Sequence, residues 1–248
     1  MVKRFILVLF FLFISQSVRG GVCENVDLKR HVPIPPPYKV VSKREVHGLC
    51  EIILEDPRGR MVSVYASPDF VIVGRMFVDG RQISIERFRD IRISEIKEKF
   101  KSLKTEVDKV VAITYRPKNA KGTVYIFTDP VCPFCQRAEK FIKDWLGNHK
   151  IEFKIVFFPV HLPKGKNKAI EAVCKHLDLA TYLGGKWGSE EKLCEEGKKL
   201  IDKSIEISRK IGIRGVPAFI SDEGEVVQGF DAKHLKTLLL KIESRGSK

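Results

Sequence analysis

The 248-residue sequence predicts an α/β C-terminal domain with a helical insertion, preceded by a small N-terminal α+β domain and a linker helix. Three observations lead there. Short apolar runs broken by turn residues fill positions 50–84, the pattern of a small antiparallel sheet. An amphipathic stretch with helical spacing follows over 95–107. Beyond residue 110, strand-like and helix-like runs alternate as in a βαβ unit, pass through a polar helical stretch, and end as ββα.

At the N-terminus, residues 1–20 read as a secretory signal peptide: Lys3 and Arg4, an apolar run from Phe5 to Ile14, then small and polar residues. That run is too short to span a bilayer as a helix, although an uncleaved anchor is the competing reading. Export places the chain in an oxidising compartment, the periplasm, where its six cysteines can persist as disulfides. Removing Lys3, Arg4 and Arg19 with the signal lowers the formal charge from +14 to +11. Because lysines and glutamates are interspersed throughout, this excess describes a solvated surface, and no nucleic-acid partner is expected.

The elements follow in order. From His31 to Pro37 the prolines fix φ and remove donors, giving an extended segment. Cys50–Leu54, Met61–Tyr65, Phe70–Val73 and Met76–Val78 are strand-like. Asp56-Pro57-Arg58-Gly59, Ser67-Pro68-Asp69 and Asp79-Gly80 turn the chain between them. So small a sheet has open edges, which pairing across a dimer would bury; a monomer whose lysines and arginines blunt the edge is the alternative. Ser94 is placed to cap a helix over 95–107 whose Ile96, Phe100, Leu103 and Val107 share one face. Strands at 110–114 and 123–127 precede a helix carrying Ala138, Phe141, Ile142 and Trp145, and a strand from Ile151 to Phe158. A polar helical stretch from Lys166 to Lys210 leads to Val216–Ile220, a turn at Asp222-Glu223-Gly224, a strand over Glu225–Phe230, and a helix with Leu235, Leu238, Leu239 and Ile242. The expected boundaries are a signal at 1–20, an N-terminal domain at 21–84, a linker at 85–109 and a catalytic domain at 110–248 with its insertion at about 166–210.

Chemistry concentrates at Cys132-Pro133-Phe134-Cys135, where a β-branched and aromatic run gives way to a helix. Unpaired N–H groups and the helix dipole favour an anion at such a terminus, which is expected to lower a thiol pKa from roughly 8.5 to about 3.5–7.5. Two intervening residues let both sulfurs meet within one turn. Cys132 then acts as nucleophile and Cys135 resolves the mixed disulfide it forms. Half of a zinc knuckle and an inert structural disulfide are the competing readings, but zinc sites bring a second close pair and the other cysteines stand alone at 23, 50, 174 and 194. No metal or cofactor is therefore expected.

With this motif on the first helix and Gly215-Val216-Pro217 just before the penultimate strand, the C-terminal domain resembles a thioredoxin fold. The whole mature chain resembles the periplasmic disulfide isomerases of the DsbC and DsbG type, in which a small N-terminal domain dimerises and a linker helix leads to the thioredoxin domain. Phe127-Thr128-Asp129 leading into Cys132 fits that family's approach to its active site. The resemblance implies a cis peptide before Pro217, facing the two cysteines, with Val216, Pro217 and Phe134 contacting substrate. It also implies a structural disulfide between Cys174 and Cys194. Cys23 with Cys50 is the leftover pairing, against free or intermolecular thiols.

By the same resemblance, the expected partners are misfolded or misoxidised secreted proteins, a membrane thiol reductant of the DsbD type and a second copy of the chain. The expected activity is protein disulfide isomerase or reductase. Two positions depart from the isomerase pattern: Pro133-Phe134 is closer to the Pro-Tyr of the DsbG branch than to Gly-Tyr, and Val216 replaces threonine. Both tune redox potential, so a dithiol oxidase stays open beside isomerase and reductase. A dimeric chaperone-like binding protein with secondary redox activity is the reading from a different class.

Overall fold

The computed structural model describes residues 21–32, 37–185, 187 and 192–245. The signal expected at 1–20 and the core of the proline-rich segment, 33–36, lie outside the described residues. The chain divides into two compact units between Phe88 and Arg89.

In the first unit a 3-10 turn (Val22–Asn25) and a short helix α1 (Leu28–His31), capped by the Asp27 side chain, precede a sheet of β1 (Lys39–Val46), β2 (Leu49–Glu55), β3 (Met61–Ala66) and β4 (Val71–Val73). The four strands are antiparallel in the order β1-β2-β3-β4. β1 was not anticipated from the sequence: its residues are charged and largely exposed, so it carries no alternation of apolar and polar positions. The β1–β2 turn holds His47 and Gly48 at φ of 47° and 76°, the paired left-handed geometry that two-residue hairpins favour. Cys50, Ile52 and Leu54 alternate onto one face with Val64, Ala66 and Leu28 and form the unit's core. On the opposite face the buried Glu51 carboxylate accepts from Arg44 Nε at 2.6 Å. A small hairpin of β5 (Phe77–Val78) and β6 (Arg81–Gln82) turns at Asp79-Gly80, as expected.

The linker helix differs from its expected extent. A helix α2 runs over Ile83–Ser102, bends out of register at Leu103 and continues as α3 (Lys104–Asp108). Ser94 therefore lies inside the helix and caps nothing. The cap reading failed because the upstream residues Ile85 to Ile93 alternate arginines with apolar residues and mask the true start; Ser84 at that start accepts from Met76 N at 2.8 Å. The stripe of Ile96, Phe100 and Val107 is buried as its spacing implied.

The second unit is built on a five-stranded sheet of β7 (Ile113–Tyr115), β8 (Gly122–Thr128), β9 (Ile151–Phe157), β10 (Ala218–Ser221) and β11 (Val226–Gln228), ordered β11-β10-β8-β9-β7. β8 and β9 run parallel and the other pairs antiparallel, so the α4 helix (Pro133–Lys143) must cross over between them. Both faces of the sheet are covered, which is why β8 reads as a continuous apolar run. Val124 and Ile126 face α4 and the C-terminal helix α8 (Ala232–Glu243), against Ala138, Ile142, Leu235 and Leu239. Tyr125 and Phe127 face the other way, toward Ile96, Phe100 and Val107 and toward Ile207 and Ile211 of the long helix α7 (Glu195–Ile211). Phe100 meets Tyr125 edge to face at 5.0 Å, and truncating a phenylalanine so buried costs about 3–5 kcal/mol. Between β9 and β10 lie α5 (Lys164–Cys174), α6 (Leu179–Gly184) and α7, the helices of the insertion.

Candidate active site

β8 ends at Thr128, and Asp129, Pro130 and Val131 carry the chain to the N-cap of α4, which is Cys132. Pro133 occupies the first helical turn, where its missing N–H leaves no bond unmade and its fixed φ suits the helix. The turn is closed by Cys132 N donating to Asp129 O at 3.0 Å and Gln136 N donating to Cys132 O at 3.0 Å. Cys132 thus sits where helix N–H groups converge. Its residue is 4% exposed, whereas Cys135, one turn on, is fully buried; both are free thiols. Burial pushes the Cys135 thiol well above its ordinary range; the neighbouring Thr128 side chain and the Asp129 amide, which donates to Sγ at 3.5 Å, oppose that shift, and neighbouring Cys132 adds to it. Phe134 projects outward at 56% exposure with the Arg137 guanidinium 4.5 Å from its ring centre.

The peptide between Val216 and Pro217 is cis, as the resemblance implied. Register places it: Ala218 of β10 pairs with Phe127 of β8, so Pro217 and Val216 continue antiparallel past Thr128 toward Asp129. The sheet therefore brings Val216-Pro217 and the cysteine-bearing turn to the same end of two neighbouring interior strands. Cys174 is bridged to Cys194, joining the end of α5 to the N-cap of α7, and Cys23 is bridged to Cys50, tying the N-terminal turn to β2.

Several residues of the site carried little signal in the sequence. Asp129 is fully buried and its carboxylate accepts from Val131 N at 3.0 Å, from Val160 N at 2.8 Å, and from His161 N and Nδ1 at 2.9 and 2.8 Å. It thereby pins the cysteine turn to the loop after β9, in which the Leu162–Pro163 peptide is also cis. Below Cys135, the Glu139 carboxylate accepts from Thr128 Oγ1 at 2.8 Å and from Tyr182 OH at 2.5 Å. Desolvation holds Glu139 above the usual carboxylate range; its two donors oppose the shift and the Asp129 charge reinforces it. Cys132, Cys135, Glu139 and Ile142 recur at steps of three, four and three along one face of α4, the one pattern from which Glu139 was readable. Among the described residues, no group of three or more His, Cys, Asp or Glu side chains is gathered to hold a metal.

Comparison with known proteins agrees with this geometry. The thiol:disulfide interchange protein DsbC of Haemophilus influenzae is 25% identical over 172 residues, which cover 67% of this chain and 70% of that protein. Among solved structures, the catalytic domain of Proteus mirabilis ScsC superposes with a TM-score of 0.50 at 19% identity, covering 60% of this chain and 98% of that domain. A linker-deletion variant of the same protein gives 0.50 at 18% identity over 64% of this chain and 88% of its own. At those identities the structures speak for the fold alone. The family model of the thioredoxin-like domain matches residues 109–242, from the end of the linker helix through α8, and with the dithiol turn and the cis Val216–Pro217 peptide inside that span, the chain belongs to the thioredoxin-like domain family and is a distant relative of DsbC.

Proposed function

We propose that this chain, a thiol–disulfide oxidoreductase of the DsbC type, is exported to the periplasm and there isomerises or reduces the disulfides of misoxidised proteins. One observation carries the reading: a free dithiol with Cys132 at the N-cap of α4 and Cys135 buried behind it, at the end of the sheet that also holds Val216-Pro217. An anionic sulfur is favoured at a helix N-cap, and a buried partner thiol is shielded from competing reactions. Cys132 attacks a client disulfide, forming a mixed disulfide and releasing a client thiolate. If that thiolate re-pairs within the client, the bond is isomerised. If not, Cys135 attacks Cys132, and the client leaves reduced.

Val216 and Phe134 are assigned to the client, Val216 through its backbone beside the cysteine turn and Phe134 through its exposed ring. Residues 21–84 are assigned to dimerisation. The support is an apolar set on the first unit, with Phe70, Ile72, Val73 and Phe77 all about half exposed on or beside the edge strand β4 and its neighbouring hairpin. A returning reductant, a membrane dithiol of the DsbD kind, keeps the pair reduced in this reading. Refolding of a scrambled-disulfide substrate by the reduced protein is the direct test. An absence of any rate gain from folded, reduced protein sinks the isomerase reading.

A dithiol oxidase is the second reading, favoured by Pro133 after the nucleophile and Val216 before the cis proline. The two directions need opposite resting states, so the reduction potential of the Cys132/Cys135 couple and its redox state in the periplasm separate them. The apolar set on the first unit also favours a chaperone-like binding role. That role prevails if a variant lacking both active-site cysteines suppresses aggregation as well as the parent.

A further inference from the structure

Three segments of chain meet at the dithiol: the cysteine turn with the start of α4, the loop after β9, and the residues around the cis Val216–Pro217 peptide. Asp129 ties the first two together through Val160 N and His161 N. Over 130–138, 158–164 and 213–217, every residue able to carry a charge, the cysteines aside, is basic: Arg137, His161, Lys164 and Arg214. The acids close by are already committed. Asp129 is fully buried under its donors from Val131, Val160 and His161, and Glu139 is bonded by Thr128 and Tyr182. The loop after β11 reaches the same end of the sheet, since Gly229 N donates to Pro217 O at 2.8 Å. Its Asp231 is the N-cap of α8, accepting from His234 N at 3.0 Å and lying 3.4 Å from His234 Nδ1.

Arg137 and Lys164 are exposed, and neither has an acidic partner among the described residues. On α5, Lys166 and Lys168 are paired with Asp202 and Glu171, so Lys164 is the unpaired cation of the three that open that helix. Lys164 precedes Gly165, which abuts Asp129, and its charge therefore stands beside the cysteine turn. Arg137 is held in place: its guanidinium carbon lies 4.5 Å from the centre of the Phe134 ring, the residue between the cysteines. A guanidinium so positioned loses less freedom on binding, and it meets a carboxylate through paired N–H donors. From Cys132 to Arg137 the helix rises about 7.5 Å, the reach of roughly two residues of extended chain. Resting on the exchange reading above, we propose that this rim selects client disulfides flanked by acidic residues, Arg137 binding a carboxylate about two residues from the client's reactive cysteine and Lys164 adding its charge from the loop after β9. The step selected is the first exchange. Cys132 Sγ bonds to one client sulfur, and the client S–S bond breaks with its electron pair leaving on the other sulfur as a thiolate. A carboxylate near the attacked cysteine favours that encounter, and a lysine there is repelled.

The experiment mixes the reduced protein with symmetrical disulfide dimers of one capped peptide, identical except for Asp or Lys two residues to either side of the cysteine, and times mixed-disulfide formation by acid quench. The same dimers timed with dithiothreitol give the chemical reference. A surface charge pair changes a rate by about 1.5- to 5-fold. Attraction of one peptide and repulsion of the other by two cations therefore predicts an Asp-to-Lys rate ratio about 10-fold above the reference at low salt, collapsing toward it at about 1 M, where the screening length is about 3 Å. Arg137→Gln and Lys164→Gln should each cut the ratio severalfold, and Arg137→Glu should bring it to the reference or below. Lys118, exposed on the turn between β7 and β8, lies at the opposite end of the sheet from Thr128. Lys118→Glu changes net charge as much as Arg137→Glu does and should keep the parental ratio. An equal loss in Lys118→Glu and Arg137→Glu would assign the preference to net charge and overturn the rim site. A parental ratio at the reference, or an unchanged ratio in both Arg137 variants, overturns it as well and leaves the exchange reading standing. If the parent forms no mixed disulfide with either peptide, the exchange reading itself falls and the rim site with it.

Discussion

Gly165 lies against Asp129 so closely that a Cβ on the glycine would stand 2.5 Å from Oδ1 and 2.9 Å from Oδ2 of the carboxylate. Gly165 is at the start of α5, and the carboxylate it touches holds Val131, Val160 and His161 together. Neither side can yield cheaply, because moving Asp129 strands buried amide donors. Gly165→Ala is expected to cost about 1–3 kcal/mol of stability and to slow the reaction of Cys132 with a disulfide probe. Thermal melting and stopped-flow thiol exchange measure the two effects. A variant unchanged in both would mean that the cysteine turn does not depend on this contact.

The bridge between Cys174 and Cys194 closes 20 residues of chain, and in the chain-entropy model such a loop is worth about 3 kcal/mol. Cys194 has a second role as the N-cap of α7, where its Sγ accepts from Gly197 N at 3.3 Å. Two double variants separate these contributions. Cys174→Ala with Cys194→Ser removes the bridge and keeps a capping oxygen, whereas Cys174→Ala with Cys194→Ala removes both. The serine variant should be more stable by about 1 kcal/mol in urea titration. Equal midpoints would show that the cap contributes nothing.

Trapping follows from the proposed division of labour between the cysteines. With Cys135→Ala, mixed disulfides formed through Cys132 lose their intramolecular exit and should accumulate, visible as adducts on non-reducing gels that vanish with reductant. Cys132→Ser should form none, because the remaining thiol is fully buried with its pKa held high. Adducts through Cys135 in the second variant would reverse the assignment of nucleophile and resolver.

How far the sequence led depends on whether a feature is local. The dithiol turn, its flanking strand and helix, and the apolar stripe of Ile96, Phe100 and Val107 were legible because each is defined by spacing within a few residues. The cis Val216–Pro217 peptide was legible by resemblance alone. β1 was not, since a charged, exposed edge strand gains its order from β2 rather than from its own pattern. The cluster at Glu139 escaped for a different reason. Its donors come from 11 residues upstream and 43 downstream, and only the packing of β8, α4 and α6 brings them together. Asp129 and His161, 32 residues apart, are joined in the same way by adjacent strand ends.

Glu139 also carries a stability prediction whose sign is fixed by its environment. Burial raises its carboxyl above the ordinary value, so the native state holds this proton more tightly than the unfolded chain does. Stability linked to such a group is fully present below the unfolded value, about 4.3, and is lost as pH rises through the native one. Glu139→Gln is neutral at every pH and keeps the oxygen that Thr128 and Tyr182 bond. Its melting temperature relative to the parent should therefore be level or slightly lower near pH 4 and should climb with pH until Glu139 is ionised in both states. Tyr182, held well above its ordinary value by burial, does not titrate in that window. Calorimetry on the reduced proteins across pH 4 to about 8 tests this. A gain in stability at neutral pH would mean that the ionised carboxylate is kept at a cost to the fold. A parent more stable than the variant at neutral pH would instead mean that the carboxylate's hydrogen bonds outweigh its desolvation.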